Sequence, residues 1–269
     1  VNELAISPLD PNIVLAASDQ GLLRTINAGG AWSKVHTQQT WTVKFRASTN
    51  TVFTARKSGS GSDFRISTDG GATFNNSNTG WWIPGAGEEC TGVMLATCPS
   101  NPTKLYAYII GSGANLKGYV GVFVSNNLGA SWSNTNPFGA IGNSPTAYAI
   151  PGHTNLMTNN GLFSGFEQGF YDMAIVVNPA NDQELIAGGT SWFKSINGGQ
   201  TWLALGSYVG GLAWSHPDMQ ALAANGSDLW IATDGGLDYS NDFGRTIEAR
   251  MNGISGADLW GFDSGWNED

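Results

Sequence analysis

The sequence is poor in charge, and the charge that it has is mostly acidic. Only 12% of its 269 residues are Asp, Glu, Lys or Arg, and the net charge is −9. The 12 Lys and Arg do not cluster, whereas nucleic-acid binding requires a basic patch that neutralises phosphates. An apolar run of about 18 residues, which a membrane-spanning helix needs, is also missing. The composition therefore excludes a nucleic-acid partner and a membrane span, and favours neutral or cationic partners.

Cysteine is scarce as well. Cys90 and Cys98 are the only two, and they lie eight residues apart around an apolar run. One straight strand between them would hold the sulfurs too far apart, so a disulfide requires a bend in this segment. Two buried thiols are an equally good alternative.

Turn-forming and aromatic residues, in contrast, are abundant. The sequence contains 37 glycines and 11 tryptophans. Few charges, many turn formers and many aromatic rings are typical of an all-β protein built from short strands.

An eight-residue signature occurs five times, starting at residues 25, 67, 125, 195 and 240. It opens with Ser or Thr, continues with Asp or Asn and then Gly at two-residue intervals, and closes with a large apolar residue. Each copy is a predicted hairpin turn, in which the Asp or Asn accepts amide hydrogen bonds and glycine adopts left-handed angles. The closing side chain is predicted to pack between sheets. These scaffold positions are Asn27, Trp32, Asp69, Phe74, Asn127, Trp132, Asn197, Trp202 and Asp242.

The spacing of the signature predicts a β-propeller with four-stranded blades over residues 1–269. About five blades are expected, and residues 259–262 read as the first strand of a sixth. The sequence starts at Val1 and shows no signal peptide, so we expect a processed or excised part of a larger propeller or longer exported polypeptide. The alternative is that the two ends meet and close a small ring.

Blade topology predicts which loops share a face. Because successive strands alternate in direction, the signature turns lie on one face and the long, variable connections lie on the other. Long loops on a rigid scaffold are where binding sites concentrate. We name this second side the loop face.

The loop face gathers acids and aromatic rings, a combination suited to sugars because rings stack on sugar faces and carboxylates bond hydroxyls. A pair of carboxylates could also hydrolyse glycosides. The candidate catalytic residues are Asp19, Asp234 and Asp218, and the candidate ligand-binding residues are Trp81, Trp82, Glu88, Glu89, Glu167, Tyr171, Asp172, Tyr208, Trp214 and His216.

Each candidate also has a simpler interpretation. Asp19 and Asp234 stand beside glycine, where aspartate commonly caps a tight turn. Glu88 and Glu89 could form a solvated charge pair. His216 could belong to an ordinary polar loop. No cofactor and no metal site are expected.

The five signatures together resemble the Asp-box (BNR) repeat of sialidases, sortilin-type receptors and secreted glycosidases. Residues 169–179 and 216–220 also resemble secreted sortilin-like propellers of Bacteroidetes-type bacteria, although Gln220 stands where those proteins have a second histidine. The resemblance implies an extracellular or cell-surface protein, often exported by type IX secretion. A further resemblance is to Asp-box xyloglucanases, whose catalytic aspartate lies in turns like those of Asp19 and Asp234.

Three functions remain open from the sequence. The first is an exported recognition module that binds an extracellular glycan or protein through the loop face. The second is a glycoside hydrolase that uses two carboxylates on an extracellular polysaccharide. The third is a structural component or cargo of a surface or secretion assembly, in contact with other domains or subunits.

Overall fold

The computed structural model describes residues 1–113, 118–135, 155–157, 168–206 and 210–253. These residues form five four-stranded antiparallel sheets, which are the blades of a β-propeller. The predicted all-β fold with five blades is therefore confirmed. Helix in this part of the chain is limited to a 3-10 turn at Gly169–Asp172. None of the described helical structure has the length and apolarity needed to cross a membrane.

Each blade is a meander whose four strands pair in chain order. Blade 1 contains β1 (Glu3–Ile6), β2 (Val14–Ser18), β3 (Gly21–Thr25) and β4 (Ser33–His36). Blade 2 contains β5 (Thr40–Phe45), β6 (Val52–Ser58), β7 (Gly61–Ser67) and β8 (Asn75–Asn76). Blade 3 contains β9 (Glu89–Thr97), β10 (Leu105–Ser112), β11 (Gly118–Ser125) and β12 (Ser133–Asn134).

Blade 4 contains β13 (Ala174–Asn178), β14 (Asn181–Gly188), β15 (Trp192–Ser195) and β16 (Leu203–Gly206). Blade 5 contains β17 (Met219–Asn225), β18 (Asp228–Thr233), β19 (Gly236–Ser240) and β20 (Glu248–Ala249). The first strands of consecutive blades contact one another, from β1 through β5, β9 and β13 to β17. The predicted sixth-blade strand at residues 259–262 lies outside the described residues.

The hydrophobic core lies between neighbouring blades, in four clusters that follow the chain. The centre of the cluster between blades 2 and 3 is aromatic. There the Phe64 ring lies 4.9 Å from the Trp132 ring and 5.8 Å from the Trp81 ring, measured between centroids. A blade with a neighbour on each side must be apolar on both faces, and the continuous buried run in β10 shows this.

The opening Ser or Thr and the following Asp or Asn of each signature make the turn hydrogen bonds that the sequence predicts. In the blade 2 copy, Asp69 accepts from the Thr73 amide at 3.0 Å and from the Ser67 hydroxyl at 2.7 Å. The Gly71 amide donates to the Ser67 hydroxyl at 3.0 Å. Partial burial opposes ionisation of Asp69, but the hydrogen bonds from Ser67 and Thr73 prevail and lower its pKa to about 2.

Asparagine replaces aspartate in three signatures without changing this geometry. The side-chain oxygens of Asn27, Asn127 and Asn197 accept amide hydrogen bonds at 2.8, 2.9 and 3.0 Å, and Asp242 accepts one at 2.8 Å. An amide carbonyl supplies the same acceptor as a carboxylate. The turn therefore needs an oxygen at this position and does not need a charge.

The fifth residue of every signature is a glycine with φ between +80° and +93°. In blades 2 to 5 this glycine packs directly against the preceding blade. An added Cβ at Gly71 would lie 2.7 Å from Leu15, at Gly129 2.2 Å from Phe64, and at Gly244 2.9 Å from Ile186. Glycine is thus required both by backbone angle and by close approach.

Trp32 differs from the prediction that every closing aromatic packs between blades. Trp132 and Trp202 are buried as expected, but Trp32 is 43% exposed. The four interblade clusters lie between blades 1 and 2, 2 and 3, 3 and 4, and 4 and 5. Among the described residues, no such cluster covers the face of blade 1 that points away from blade 2. Trp32 belongs to this uncovered face of blade 1, which explains its exposure.

The two cysteines are free buried thiols, and the structure thereby decides between the two alternatives. Cys90 belongs to the cluster between blades 2 and 3, and Cys98 to that between blades 3 and 4. Burial raises the pKa of Cys90 to about 11 and that of Cys98 to about 12.

Candidate functional site

Three aspartates meet on the loop face where blades 4 and 5 adjoin. Asp172 ends the 3-10 turn that leads into β13, Asp218 immediately precedes β17, and Asp234 follows β18. The strands β13 and β17 contact each other, which brings these three loop-face positions together. We name Asp172, Asp218 and Asp234, together with Gln220, the acidic cluster.

Gln220 links two of the three aspartates. It lies on β17, and its side-chain Nε2 donates to Asp172 Oδ1 at 3.1 Å and to Asp234 Oδ1 at 2.9 Å. The amide therefore links two carboxylates that come from different blades. The sequence does not predict this role, because Gln220 stands out there only as the residue in place of a histidine. A glutamine that lies between acidic residues in the sequence does not by itself indicate that it bridges them.

Asp172 is the most deeply buried member of the cluster. Its side chain is fully buried, and its Oδ2 atom has no hydrogen-bond partner. Loss of solvation by burial, followed by the charges of Asp218 and Asp234, raises its pKa to about 7. At neutral pH the cluster thus contains a carboxyl group that readily gains or loses a proton.

Asp218 is held in an unusual backbone conformation. Its φ is +69°, and its side chain is buried. Gln168 Nε2 donates to Asp218 Oδ1 at 3.0 Å, and the Asp218 amide donates to the Thr190 carbonyl at 3.3 Å. Left-handed angles are tolerated best by asparagine and aspartate among residues other than glycine, and they concentrate at functional sites.

His216 packs against the turn that carries Asp234. An added Cβ at Gly235 would lie 2.3 Å from His216 Cβ, so the close approach requires glycine there. His216 Nδ1 lies 2.9 Å from the Pro217 carbonyl oxygen. The histidine therefore helps to position the β18–β19 turn, next to the acidic cluster.

Two exposed aromatic residues are close in sequence to members of the cluster. Tyr171 directly precedes Asp172 and is 50% exposed, and Trp214 lies in the segment leading to Asp218 and is 55% exposed. Large rings with this exposure offer flat apolar surface to a ligand. Two other candidates from this region, Glu167 and Tyr208, lie outside the described residues.

Asp19 has hydrogen-bond partners different from those of the acidic cluster. It lies in the β2–β3 turn and accepts hydrogen bonds at 3.1 Å from Asn2 and from Gln39, which belong to the region of blades 1 and 2. Asp234, in contrast, is bound to Gln220 in blade 5. The two aspartates hold equivalent positions in their blades but have separate surroundings.

The candidates between blades 2 and 3 have hydrogen-bond and ion-pair partners outside the acidic cluster. Trp81 is buried in the core, with its Nε1 donating to the Ser62 hydroxyl at 3.0 Å, and Trp82 is half-buried against the same core. Glu88 accepts from the Gly85 amide at 2.8 Å, and Glu89 forms an ion pair with Lys57. We therefore leave these four residues out of the proposed site.

The described residues contain no group of three or more His, Cys, Asp or Glu side chains arranged to hold a metal ion. In the acidic cluster the position between two carboxylates is taken by the Gln220 amide. The chemistry that this arrangement offers is hydrogen bonding and proton exchange.

Comparison with known proteins identifies the architecture. No protein-family model matches the sequence, and no curated protein matches it. Among solved structures, the chain is similar to the Niastella koreensis GH74 enzyme, with 16% identity and a TM-score of 0.56 over 91% of this chain and 37% of that one. It is similar to the GH74 xyloglucanase from Xanthomonas campestris, with 18% identity and a TM-score of 0.56 over 91% of this chain and 38% of that one.

A third similar structure is YCF48 from Cyanidioschyzon merolae. The identity is 17% and the TM-score 0.51, over 91% of this chain and 69% of YCF48. The chain thus spans little more than a third of the length of the two GH74 structures. At these identities the similarity shows a shared propeller fold.

Proposed function

We propose that this chain is an exported or cell-surface recognition module that binds a glycan at the acidic cluster between blades 4 and 5. The observation that carries the proposal is the junction itself, where Gln220 bridges Asp172 and Asp234 and where Asp218 directly precedes the strand of Gln220. Tyr171 directly precedes Asp172 and Trp214 precedes Asp218 in the same connection, and both are exposed. Polar groups that converge next to apolar rings are typical of a ligand site.

The chemistry of the cluster suits a neutral polyhydroxylated ligand. Asp234 is the exposed carboxylate, and it can accept charge-assisted hydrogen bonds from sugar hydroxyls. Asp172 is buried and acts through Gln220, so it positions the site and does not touch the ligand. The net charge of −9 disfavours polyanionic ligands. The GH74 similarity adds support, since propellers of this fold include a xyloglucanase.

Removing the two rings tests the glycan-binding proposal. Tyr171→Ala and Trp214→Ala should each weaken glycan binding about tenfold or more, because truncating a central aromatic contact costs roughly 1–2 kcal/mol. The measurement is binding to an array of neutral plant and bacterial glycans, followed by calorimetric titration with the best oligosaccharide. Trp32→Ala is the matched control, because Trp32 is an exposed tryptophan in a signature turn on the opposite face.

The outcomes separate the alternatives. Equal affinity of the Trp214→Ala variant and the unmodified chain would refute this site. Absence of glycan binding, with capture of a protein ligand that both substitutions weaken, would replace the glycan by a protein. Absence of both would favour a structural component of a surface or secretion assembly.

A glycoside hydrolase is the second candidate function. It is favoured by the convergence of three carboxyl groups at the acidic cluster, because glycoside hydrolysis uses a pair of carboxyl groups. If the chain cleaves xyloglucan or a related β-glucan, Asp234→Asn should abolish release of reducing ends, while Asp19→Asn should leave it intact. Activity that survives Asp234→Asn, or is lost equally in Asp19→Asn, would contradict this assignment.

A further inference from the structure

A polar cleft of about 260 Å³ lies between blades 3 and 4, on the face that carries the signature turns. Asn126 of the blade 3 signature lines one side, and Gly198 and Gln200 of the blade 4 signature line the other. Further lining residues are Lys104, Tyr106, Val124 and Gln183. We name this space the interblade cleft.

At two other junctions the corresponding space is filled by a cationic side chain. There the residue just before a signature reaches the fourth residue of the next signature, which belongs to the neighbouring blade. Between blades 1 and 2, Arg24 Nε donates to the Gly70 carbonyl at 2.8 Å. Between blades 4 and 5, Lys194 Nζ donates to the Phe243 carbonyl at 2.6 Å. Because packed sheets lie about 10 Å apart, a long side chain is needed to span this gap.

Between blades 3 and 4 the same two positions are occupied by Val124 and Gly198. Valine is too short to reach the next sheet as arginine and lysine do, and glycine adds no side chain from the other side. No described residue donates a hydrogen bond to the Gly198 carbonyl. Between blades 2 and 3 the pair is Ile66 and Leu128, which both pack against the core. The interblade cleft is therefore the space that a long side chain fills elsewhere in this propeller.

The single charged residue in the described lining, Lys104, is already paired. Its side chain is 8% exposed, and its Nζ lies 3.2 Å from Asp182 Oδ2 and 5.4 Å from the centre of the Tyr106 ring. A buried charge requires such a partner, because burial removes its solvation. The cleft thus presents no uncompensated charge, which disfavours an ionic ligand.

The uncharged lining groups both donate and accept hydrogen bonds. The side-chain amides of Asn126, Gln183 and Gln200 each carry an NH₂ group and a carbonyl, and Asn126 and Gln200 are exposed. Gln183 Nε2 donates to Asp182 Oδ1 at 2.8 Å. The Gln183 Oε1 atom lies beside the blade 4 turn, since an added Cβ at Gly198 would lie 2.8 Å from it. Sugar hydroxyls match this lining, because each hydroxyl also donates and accepts.

We propose that the interblade cleft binds one neutral sugar unit. One hydroxyl of the sugar donates to the Gly198 carbonyl, in the place that Arg24 and Lys194 take at the other junctions, and further hydroxyls bond to Asn126 and Gln200. The cleft is smaller than the roughly 300–1,000 Å³ pockets of drug-sized ligands, so it suits a single ring. This inference does not depend on the proposed function, because the acidic cluster lies at a different junction and on the loop face.

Titration of the isotopically labelled full chain with sugars, followed by NMR, tests the proposal. The probes are the methyl glycosides of glucose, galactose, mannose and xylose. We expect at least one of them to give saturable shifts of the Gly198 backbone amide and of the Asn126 and Gln200 side-chain amides. The Gln220 and Trp214 signals report binding at the acidic cluster in the same spectra, so the two sites are distinguished.

Val124→Arg fills the cleft by a contact that the fold already uses. The new side chain should donate to the Gly198 carbonyl, as Arg24 does to that of Gly70. We therefore expect the dissociation constant of the sugar to rise about tenfold or more, while the free energy of unfolding is not lowered.

A second variant tests the same site without changing its packing. Asn126→Ala combined with Gln200→Ala removes two exposed amides, and it should also weaken sugar binding about tenfold or more. Asn241→Ala is the matched control, because Asn241 is an exposed asparagine at the same position of the blade 5 signature. The control should bind the sugar as the unmodified chain does.

Three results would overturn the inference. The first is the absence of shifts at Gly198 for every sugar in the panel. The second is a set of shifts confined to Gln220 and Trp214, which would restrict sugar binding to the acidic cluster and leave the proposed function standing. The third is binding at Gly198 that Val124→Arg and the double amide variant both leave unchanged.

Discussion

Gly129→Ala is expected to lower the free energy of unfolding by about 3 kcal/mol. The left-handed backbone angle, with φ at +81°, costs an alanine about 1 kcal/mol. The added Cβ would also lie 2.2 Å from the Phe64 ring, and overpacking of this kind typically costs about 1–3 kcal/mol. Phe64 cannot move aside easily, because Trp81 and Trp132 pack on it.

Gly29→Ala is the matched control for this prediction. Gly29 occupies the same turn position with φ at +93°, but an added Cβ would meet nothing closer than the Trp32 ring at 3.8 Å. Its expected cost is the backbone strain alone, about 1 kcal/mol. The test is to measure the free energy of unfolding of both variants by denaturant unfolding, monitored by tryptophan fluorescence. Equal losses in the two variants would show that packing on the preceding blade contributes nothing.

Asp172→Asn is expected to change how stability depends on pH. The pKa of Asp172 is about 7 in the folded chain, against an ordinary value of 3.8. Between about pH 4 and pH 7 the folded state holds a proton that the unfolded state releases, so stability falls as the pH rises through this window. Asparagine cannot ionise. The variant should therefore match the unmodified chain near pH 4 and be more stable than it at pH 8.

The measurement is the free energy of unfolding at pH 4, 6 and 8. Asp19→Asn serves as the control, because it removes an exposed aspartate on the same face and leaves Asp172 in place. The control should retain the decline in stability between pH 4 and pH 8. If Asp172→Asn were less stable than the unmodified chain at pH 8, an ionised Asp172 would have to stabilise the fold, and the pKa argument would be wrong.

Several parts of the fold could be predicted because they depend on local chemistry. Asp69 and its four equivalents form their turns with hydrogen bonds to residues at most four positions away. Such contacts are written into short stretches of sequence. The order of the blades and the separation of the two faces follow from these turns and from strand alternation.

The candidate site was predicted only in part. Asp172, Asp218 and Asp234 were chosen as acids on the loop face, and the structure brings them together. Asp19 is predicted by the same reasoning, yet its partners are Asn2 and Gln39 and it shares none with the cluster. The bridging role of Gln220 depends on two contacts with residues 48 and 14 positions away, and no sequence pattern marks them.

Burial of aromatic rings was the least predictable property. Trp81 reads as an exposed loop residue but fills the core against Phe64 and Trp132, whereas Trp32 reads as a core residue but is exposed. Both rings belong to turns or loops whose local sequence is compatible with either environment. Whether a second blade covers a ring is decided by contacts between distant segments.

By itself, the sequence determined the turns, the strands, the blade repeat and the acidic character of one face, since each arises from interactions within a few residues or from strand alternation. The tertiary structure alone decided which acids share a site, which rings are covered and which blade faces stay exposed. Those properties depend on the packing of one sheet against another, and each sheet carries the same local pattern whether or not a neighbour is present.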